Sequence, residues 1–248
     1  KFRESTATVF ITSVENNSSG LCTATAFFKN GNKYQFITAA HCVADYNKET
    51  SETTPKKYLL QLILEKLNGD RFISEAKVLE SKEKGLAIGE IKNLEDLVVL
   101  EAEINENIPI MPLAKTGPEL DEDVLVVTAP PDTNAGLLQL RGYVSKEKMS
   151  NEIGDVFIIQ VIGLGKPYGS SGGGVFSVKR GAIVGIINGF FPNEYGHISL
   201  TIIPIAKFNN FYKEYQQGKR LLVKQEPVEP KKEEGQNSCA KPISCDLP

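Results

Sequence analysis

The 248-residue sequence lacks the features that mark membrane and nucleic-acid-binding proteins. Its longest apolar runs, residues 58–64 and 182–191, are much shorter than the roughly 20 residues of a membrane-spanning helix. It has no stripe of Lys and Arg interleaved with aromatic residues, and its formal net charge is −3. We therefore expect a protein with no membrane span and no nucleic-acid partner.

Cysteine and histidine are also scarce, with four and two residues. The cysteines form no Cys-x-x-Cys pair and have no neighbouring set of histidines, so the sequence predicts no metal site and no cofactor. An even cysteine count slightly favours disulfides and a secreted or periplasmic location, with free cytosolic thiols as the alternative. The start at Lys1, without an initiator Met, is expected of a processed or trimmed chain.

Up to about residue 204, the chain reads as about a dozen short strand-like segments separated by turn residues. The pairs Asn30-Gly31 and Asn68-Gly69 are typical of tight hairpin turns. Residues 59–67 are ambiguous, because their apolar positions also fit a helix. Many short strands without alternating helices favour antiparallel β-barrels or sandwiches over a parallel sheet.

The last part of the chain differs in composition. Apolar residues recur every three or four positions over residues 205–215, which predicts a short closing helix. Beyond Gly218, Lys, Glu and Pro dominate, so we expect residues 218–248 to form a tail that does not fold by itself. Cys239 and Cys245 lie in this tail and either pair with each other or reach back to the body.

A histidine base in a catalytic triad must be His41 or His197, the two histidines of the sequence. Known triads differ in the order of serine, histidine and acid along the chain, so this order tests which triads the sequence can form. The order Ser, acid, His fails, because the interval from Ser171 to His197 has no Asp and one Glu close to the histidine. The order Asp, His, Ser fails because the first aspartate, Asp45, follows His41. The order His, Asp, Ser is satisfied by His41, Asp96 and Ser171.

The local contexts of these three residues favour the same hypothesis. Glycines flank Ser171 in the run Gly-Ser-Ser-Gly-Gly-Gly, which allows a tight turn whose amides at Gly169 and Ser171 converge on one oxyanion. His41 follows an apolar strand that ends in small residues. Asp96 precedes an apolar strand, where a buried carboxylate needs a donor such as an imidazole N–H. Taken singly, each motif also fits a glycine-rich hairpin, a core histidine or a strand-edge acid.

Together, these segments resemble the trypsin-like serine protease family. The run Thr38-Ala39-Ala40-His41-Cys42 is similar to the family's Thr-Ala-Ala-His-Cys motif, and residues 169–174 are similar to its Gly-Asp-Ser-Gly-Gly-Pro motif. Residues 96–100 are similar to the family's Asp-Ile-Ala-Leu-Leu stretch, and residues 184–189 to the strand that lines its substrate cleft. The resemblance covers residues from about 7 to 215.

The resemblance implies an all-β fold of two antiparallel six-stranded Greek-key barrels with a short C-terminal helix. Residues 1–112 would form the barrel that carries His41 and Asp96, residues 113–217 the barrel that carries Ser171, and residues 218–248 the tail. It also implies a serine endopeptidase acting on proteins or peptides, with Ser171 as nucleophile, His41 as base and Asp96 orienting the base. The amides of Gly169 and Ser171 would form the oxyanion hole. The sequence does not predict an oligomeric state.

Two details of the resemblance concern regulation and crosslinking. Animal members carry an acid at the position of Ser170, which pairs with the amino terminus released from a zymogen. Ser170 therefore implies that the chain does not use this switch and is closer to bacterial and viral members. The family often has a disulfide beside the catalytic histidine, which suggests a Cys22–Cys42 bond, although the register of Cys22 is shifted by one residue.

The resemblance also suggests where the substrate binds. Residues 163–168 contain no acid and the pocket floor would lie near Gly165, which disfavours Arg or Lys and favours an apolar or small side chain. Tyr168, Phe190 and Phe191 would form an apolar wall, unless they belong to the core. His197 would donate to a Glu or Gln of the substrate, unless it is a surface turn residue. The expected substrate-binding residues are Gly165, Tyr168, Asn188, Gly189, Phe190 and His197.

Two other functions compete with a general protease. The first is a catalytically silent module that keeps the fold and binds another protein, although all three triad residue types are present. The second is an assembly component that cleaves only its own precursor.

Overall fold

The computed structural model describes residues 1–14, 18–47, 52–55, 57–81, 85–89, 96–129, 136–151, 154–161, 167–192 and 198–218. The strands of the first part are β1 (Thr6–Ser13), β2 (Ser19–Asn30), β3 (Lys33–Thr38), β4 (Ala44–Asn47), β5 (Glu52–Pro55), β6 (Tyr58–Glu65), β7 (Arg71–Val78), β8 (Glu80–Ser81), β9 (Gly85–Leu86) and β10 (Val98–Glu103). The elements of the second part are β11 (Asp123–Thr128), β12 (Leu138–Asn151), β13 (Gly154–Val161), β14 (Gly174–Ser177), β15 (Ala182–Pro192), β16 (Ile198–Pro204) and helix α1 (Ile205–Gln216).

Six strands close into each of two antiparallel barrels. The first has the order β1-β2-β3-β10-β7-β6 and the second the order β11-β12-β13-β16-β15-β14. In both barrels three consecutive strands are followed by the other three in reverse order, which is a Greek-key arrangement. The all-β fold of two six-stranded barrels with a short C-terminal helix is therefore confirmed.

Alternating burial explains why residues 58–65 form a strand and not a helix. Leu60, Leu62 and Leu64 are buried, and the residues between them are partly exposed. This period of two places the three leucines on the inner face of the first barrel. The ambiguous apolar pattern of residues 59–67 is thus a strand. Gly31 and Gly69 have φ values of +63° and +88°, as expected for the hairpin turns predicted around them.

Both ends of the described chain connect the two barrels. The ring of Phe2 packs against Phe176 of β14, with centroids 5.0 Å apart. Helix α1, predicted over residues 205–215, follows the second barrel and packs against the first. The Tyr212 ring lies edge-on to Phe27, and its hydroxyl donates to Gln35 at 2.6 Å. These contacts hold the barrels against each other at two separate places.

Residues 219–248, with Cys239 and Cys245, lie outside the described residues, so the tail stays a prediction. Within the described ranges, no helix has the length and apolar character needed to cross a bilayer.

Candidate active site

His41 and Asp96 form a hydrogen-bonded pair at one end of the first barrel. His41 lies in a short 3-10 turn after β3, and Asp96 lies just before β10. Because these antiparallel strands pair with Thr38 opposite Val98, the end of β3 lies beside the start of β10. The imidazole Nδ1 is 2.6 Å from Oδ2 of Asp96, and the backbone N–H of His41 donates to Oδ1 at 2.8 Å.

The two side chains of this pair differ in exposure. The Asp96 side chain is 8% exposed and the His41 side chain 39%. A buried carboxylate is costly unless donors satisfy it, and here each oxygen has one. The imidazole is therefore held from its buried side and remains accessible from solvent.

Residues 167–173 form the loop that carries Ser171, which we call the nucleophile loop after the predicted role of Ser171. Gly169 and Gly172 adopt φ values of +88° and +83°, which residues with a side chain rarely take. The N–H of Gly172 donates to the carbonyl of Ile187 at 2.7 Å, and the N–H of Gly173 donates to the carbonyl of Ser170 at 2.9 Å. The glycine run is thus a tight turn that lies against β15.

The nucleophile loop is attached to the first barrel next to His41. The carbonyl of Ser171 accepts a hydrogen bond from the N–H of Thr23 at 2.8 Å. Thr23 follows Cys22, which forms a disulfide with Cys42, the residue after His41. The Cys22–Cys42 bond is therefore confirmed, and it connects the strand that contacts Ser171 to the turn that carries His41.

The contact between nucleophile and base stays a prediction. Among the described residues, His41 hydrogen-bonds only Asp96, and the Ser171 hydroxyl has no hydrogen-bond partner. Such contacts are often longer than hydrogen-bonding distance before substrate binds. The backbone N–H groups of Gly169 and Ser171 also donate to no described acceptor, and their role as oxyanion donors stays a prediction.

An exposed aromatic pair lies beside the nucleophile loop. The rings of Tyr168 and Phe190 meet edge to face with centroids 5.4 Å apart, and their residues are 64% and 39% exposed. Tyr168 belongs to the nucleophile loop and Phe190 to β15. The two rings therefore lie at the surface of the site and outside both barrel cores.

The structure describes only some of the remaining predicted substrate-binding residues. Asn188 lies between Ile187 and Gly189, where the pairing of β15 with β16 shifts register, and bulges of this kind often re-aim side chains next to active sites. Its Oδ1 is buried and has no partner among the described residues. Gly165 and His197 lie outside the described residues.

A comparison with protein-family models identifies the family of this chain. Residues 22–186 match the model of the trypsin-like peptidase domain, and this range includes His41, Asp96 and Ser171. The chain therefore belongs to the trypsin-like peptidase domain family. Among curated proteins, none matches the sequence.

Two solved structures that are similar to this trypsin-like peptidase domain have low sequence identity to it. The MamO protease domain from Magnetospirillum magneticum, in its apo form, is 14% identical with a TM-score of 0.53, and the match covers 84% of this chain and 96% of that one. The serine endoprotease from Yersinia pestis is 20% identical with a TM-score of 0.56, and the match covers 88% of this chain and 65% of that one. At these identities the likeness shows the fold alone.

Gly172 lets the nucleophile loop of the peptidase domain approach the first barrel. A Cβ there would lie 2.1 Å from the carbonyl oxygen of Thr23 and 2.0 Å from Oγ1 of Thr38. We expect Gly172→Ala to lower the free energy of unfolding by about 2–5 kcal/mol, since a left-handed conformation costs about 1–2 kcal/mol and overpacking about 1–3 kcal/mol. Chemical denaturation measures this loss.

Gly181 supplies the matched control for this substitution. It also has a positive φ, +60°, but a Cβ there would meet nothing within 4 Å. Gly181→Ala should therefore cost only the backbone penalty of about 1–2 kcal/mol. Equal losses in the two variants would mean that the close approach to Thr23 does not constrain Gly172.

The His41–Asp96 pair makes the peptidase domain sensitive to pH. Burial lowers the pKa of His41, but the hydrogen bond with Asp96 and the charge of that carboxylate outweigh it, so the pKa is raised above 6.5. The stabilisation is therefore fully present below pH 6.5 and is lost as the pH rises through the folded-state pKa. We expect a ¹⁵N NMR titration of His41 to have its midpoint above pH 6.5.

A His197→Gln variant removes the second histidine signal and assigns the titration to His41. Replacing Asp96 by Ala should lower the midpoint, because the carboxylate is the group that raises the pKa. A wild-type midpoint at or below pH 6.5 would contradict the expected balance of burial and charge.

Proposed function

We propose that this chain is a serine endopeptidase that hydrolyses proteins or peptides through an acyl-enzyme intermediate. The observation that supports this most is the His41–Asp96 pair, whose imidazole is held by a buried carboxylate beside the strand that binds the Ser171 carbonyl. In this proposal Ser171 is the nucleophile, His41 the general base and Asp96 the residue that orients His41. Membership of a peptidase family makes a protein substrate the natural expectation.

The first half of the proposed reaction forms the acyl-enzyme. His41 Nε2 takes the hydroxyl proton of Ser171 as Oγ bonds to the carbonyl carbon of the substrate. The oxyanion accepts hydrogen bonds from the N–H groups of Gly169 and Ser171, each worth roughly 10²–10³-fold in rate. Asp96 keeps the proton of His41 on Nδ1 and stabilises the imidazolium without accepting that proton.

Collapse of the tetrahedral adduct completes the acyl-enzyme, and hydrolysis of the acyl-enzyme then releases the second product. Protonated His41 gives its proton to the leaving amine as the C–N bond breaks. His41 then takes a proton from water, whose oxygen attacks the acyl carbon, and the proton returns to Ser171 as the ester bond breaks. Proton transfer of this kind contributes on the order of 10²–10⁴-fold.

The edge of β15 offers a place for the substrate backbone. Residues 182–186 of β15 pair with β14, and Ile187 pairs with Gly172 and Gly173. From Asn188 onwards, β15 pairs only with β16 among the described strands. An extended peptide that adds to this edge would have its scissile bond close to Ser171, with Asn188, Gly189 and Phe190 along it.

We propose an apolar or small residue on the acyl side of the scissile bond. The exposed Tyr168–Phe190 pair supplies aromatic surface beside the nucleophile loop. Gly165 at the pocket floor and His197 as a polar contact remain parts of this proposal that rest on the resemblance. We also propose a secreted or periplasmic location, because disulfides such as Cys22–Cys42 persist mainly in oxidising compartments.

A serine-directed fluorophosphonate tests the proposed function directly. We expect the folded protein to be labelled in a single peptide that contains Ser171, identified by mass spectrometry. Hydrolysis of a peptide library should be lost in proportion to labelling, and the cleaved bonds should follow apolar or small residues. Protein unfolded by denaturant is the control, since Ser171 is then no more reactive than other serines.

The outcomes separate the competing functions. Folded protein that neither labels nor cleaves the library would contradict the proposal and favour a binding module. Labelling at Ser171 without cleavage of any library peptide would favour cleavage restricted to the protein's own precursor.

A further inference from the structure

Thr23 joins the nucleophile loop to two other parts of the structure with four hydrogen bonds. Its N–H donates to the carbonyl of Ser171 and its Oγ1 donates to the carbonyl of Gly169, both at 2.8 Å. The same Oγ1 accepts the N–H of Ala129 at 3.0 Å, at the end of β11. The carbonyl of Thr23 accepts Oγ1 of Thr38 at 2.7 Å, at the end of β3. Thr23 is completely buried.

These bonds fix the peptide planes around Ser171. In the peptide that links Ser171 to Gly172, the carbonyl is held by Thr23 and the N–H by Ile187. In the peptide that links Gly169 to Ser170, the carbonyl is held by Thr23 and the N–H by Pro167. Because a peptide unit is planar, holding both ends fixes its orientation. The N–H of Ser171 lies between these two fixed units and has no described acceptor.

The side chain of Ser170 does not share this role. It is 1% exposed, and its Oγ has no hydrogen-bond partner among the described residues. Among the described residues, the hydrogen bonds between the nucleophile loop and the first barrel therefore converge on Thr23. Thr38, which binds the Thr23 carbonyl, also ends the strand that leads to His41.

We propose that Thr23 is a positioning residue that sets the Ser171 N–H and Oγ relative to His41 and to the oxyanion. The inference rests on the proposed function, because it assigns Thr23 a part in the same site. Its hydroxyl acts through the Gly169 carbonyl and its backbone N–H through the Ser171 carbonyl, and neither group acts on the substrate directly. Loss of the hydroxyl leaves the Gly169 carbonyl without its donor and lets that peptide rotate.

The test compares Thr23→Val, which removes the hydroxyl and keeps the shape, with Thr23→Ser, which keeps the hydroxyl. Thr25→Val is the matched control, because Thr25 lies on the same strand, is equally buried, and has an Oγ1 without a partner among the described residues. We expect Thr23→Val to lower kcat by roughly 10–100-fold with little change in KM, as a small misplacement of reacting groups does. Thr23→Ser and Thr25→Val should stay within about threefold of wild type.

A second measurement separates positioning from general stability. A peptide aldehyde forms a hemiacetal with Ser171 whose oxygen occupies the oxyanion site, whereas the matching peptide alcohol binds without a covalent bond. Thr23→Val should weaken aldehyde binding at least about tenfold and leave alcohol binding unchanged. All assays are run below the thermal transition of each variant, and Thr23→Ala replaces Thr23→Val if the valine variant does not unfold cooperatively.

The results distinguish this inference from the proposed function. If the wild type is active and loss of the Thr23 hydroxyl changes neither kcat nor aldehyde affinity, the role of Thr23 alone is overturned. An equal loss in Thr25→Val would also overturn it, because any buried hydroxyl would then have the same effect. A folded wild type that neither labels nor cleaves would overturn the proposed function and this role with it.

Discussion

Replacement of Ser171 by alanine should lower kcat for peptide hydrolysis by on the order of 10⁶-fold. The substitution removes the only atom that forms the acyl-enzyme in the proposed mechanism, and His41 then has no hydroxyl to deprotonate. The loop itself should keep its shape, because its hydrogen bonds to Thr23 and Ile187 use backbone atoms of Ser171 and Gly172. KM and the unfolding midpoint should therefore change little.

The neighbouring Ser170 provides the control for this prediction. Ser170→Ala removes a hydroxyl that is buried without a partner among the described residues, so kcat should stay within a few-fold and stability should not fall. Steady-state kinetics on one peptide, with purified protein free of host proteases, measure both variants. Activity retained in Ser171→Ala, or lost equally in Ser170→Ala, would reject Ser171 as the nucleophile.

The parts of the fold and site that the sequence predicted are those marked by local motifs, which gain their weight in combination. His41 follows β3, a strand that leads into small residues, and Asp96 precedes β10, which lies beside β3 in the first barrel. Antiparallel pairing of those strands is enough to bring the two side chains together. The turn glycines and the spacing of apolar residues in α1 are local signals of the same kind.

Other features depend on contacts between residues far apart in sequence. Nothing local marks Thr23, a threonine within a strand, yet the structure gives it bonds to residues more than 100 positions away. The short pair β4–β5 was not predicted, because residues 44–55 are mostly polar and show no clear alternation. Strand β12 continues to Asn151, although residues 145–150 are mostly polar and carry no strand signal.

Replacement of Asp96 by asparagine should lower kcat by on the order of 10⁴-fold, because it moves the imidazole proton of His41 from Nδ1 to Nε2. Both oxygens of Asp96 accept hydrogen bonds from His41, one from the backbone N–H and one from Nδ1. Asparagine has one acceptor oxygen, and the backbone N–H is always a donor, so the oxygen must face the backbone. The amide NH₂ then faces Nδ1, which must become an acceptor, and the imidazole proton moves to Nε2.

With its proton on Nε2, His41 cannot take the proton of Ser171, although every side chain is still in place. Asp96→Asn should therefore label slowly with a fluorophosphonate while the folded structure and KM are nearly unchanged. Asp123→Asn, at an exposed carboxylate at the start of β11, should leave kcat unchanged. A ¹⁵N NMR spectrum at neutral pH identifies the tautomer, and an Asp96→Asn variant that keeps its proton on Nδ1 or retains more than about a tenth of wild-type kcat would contradict this account of Asp96.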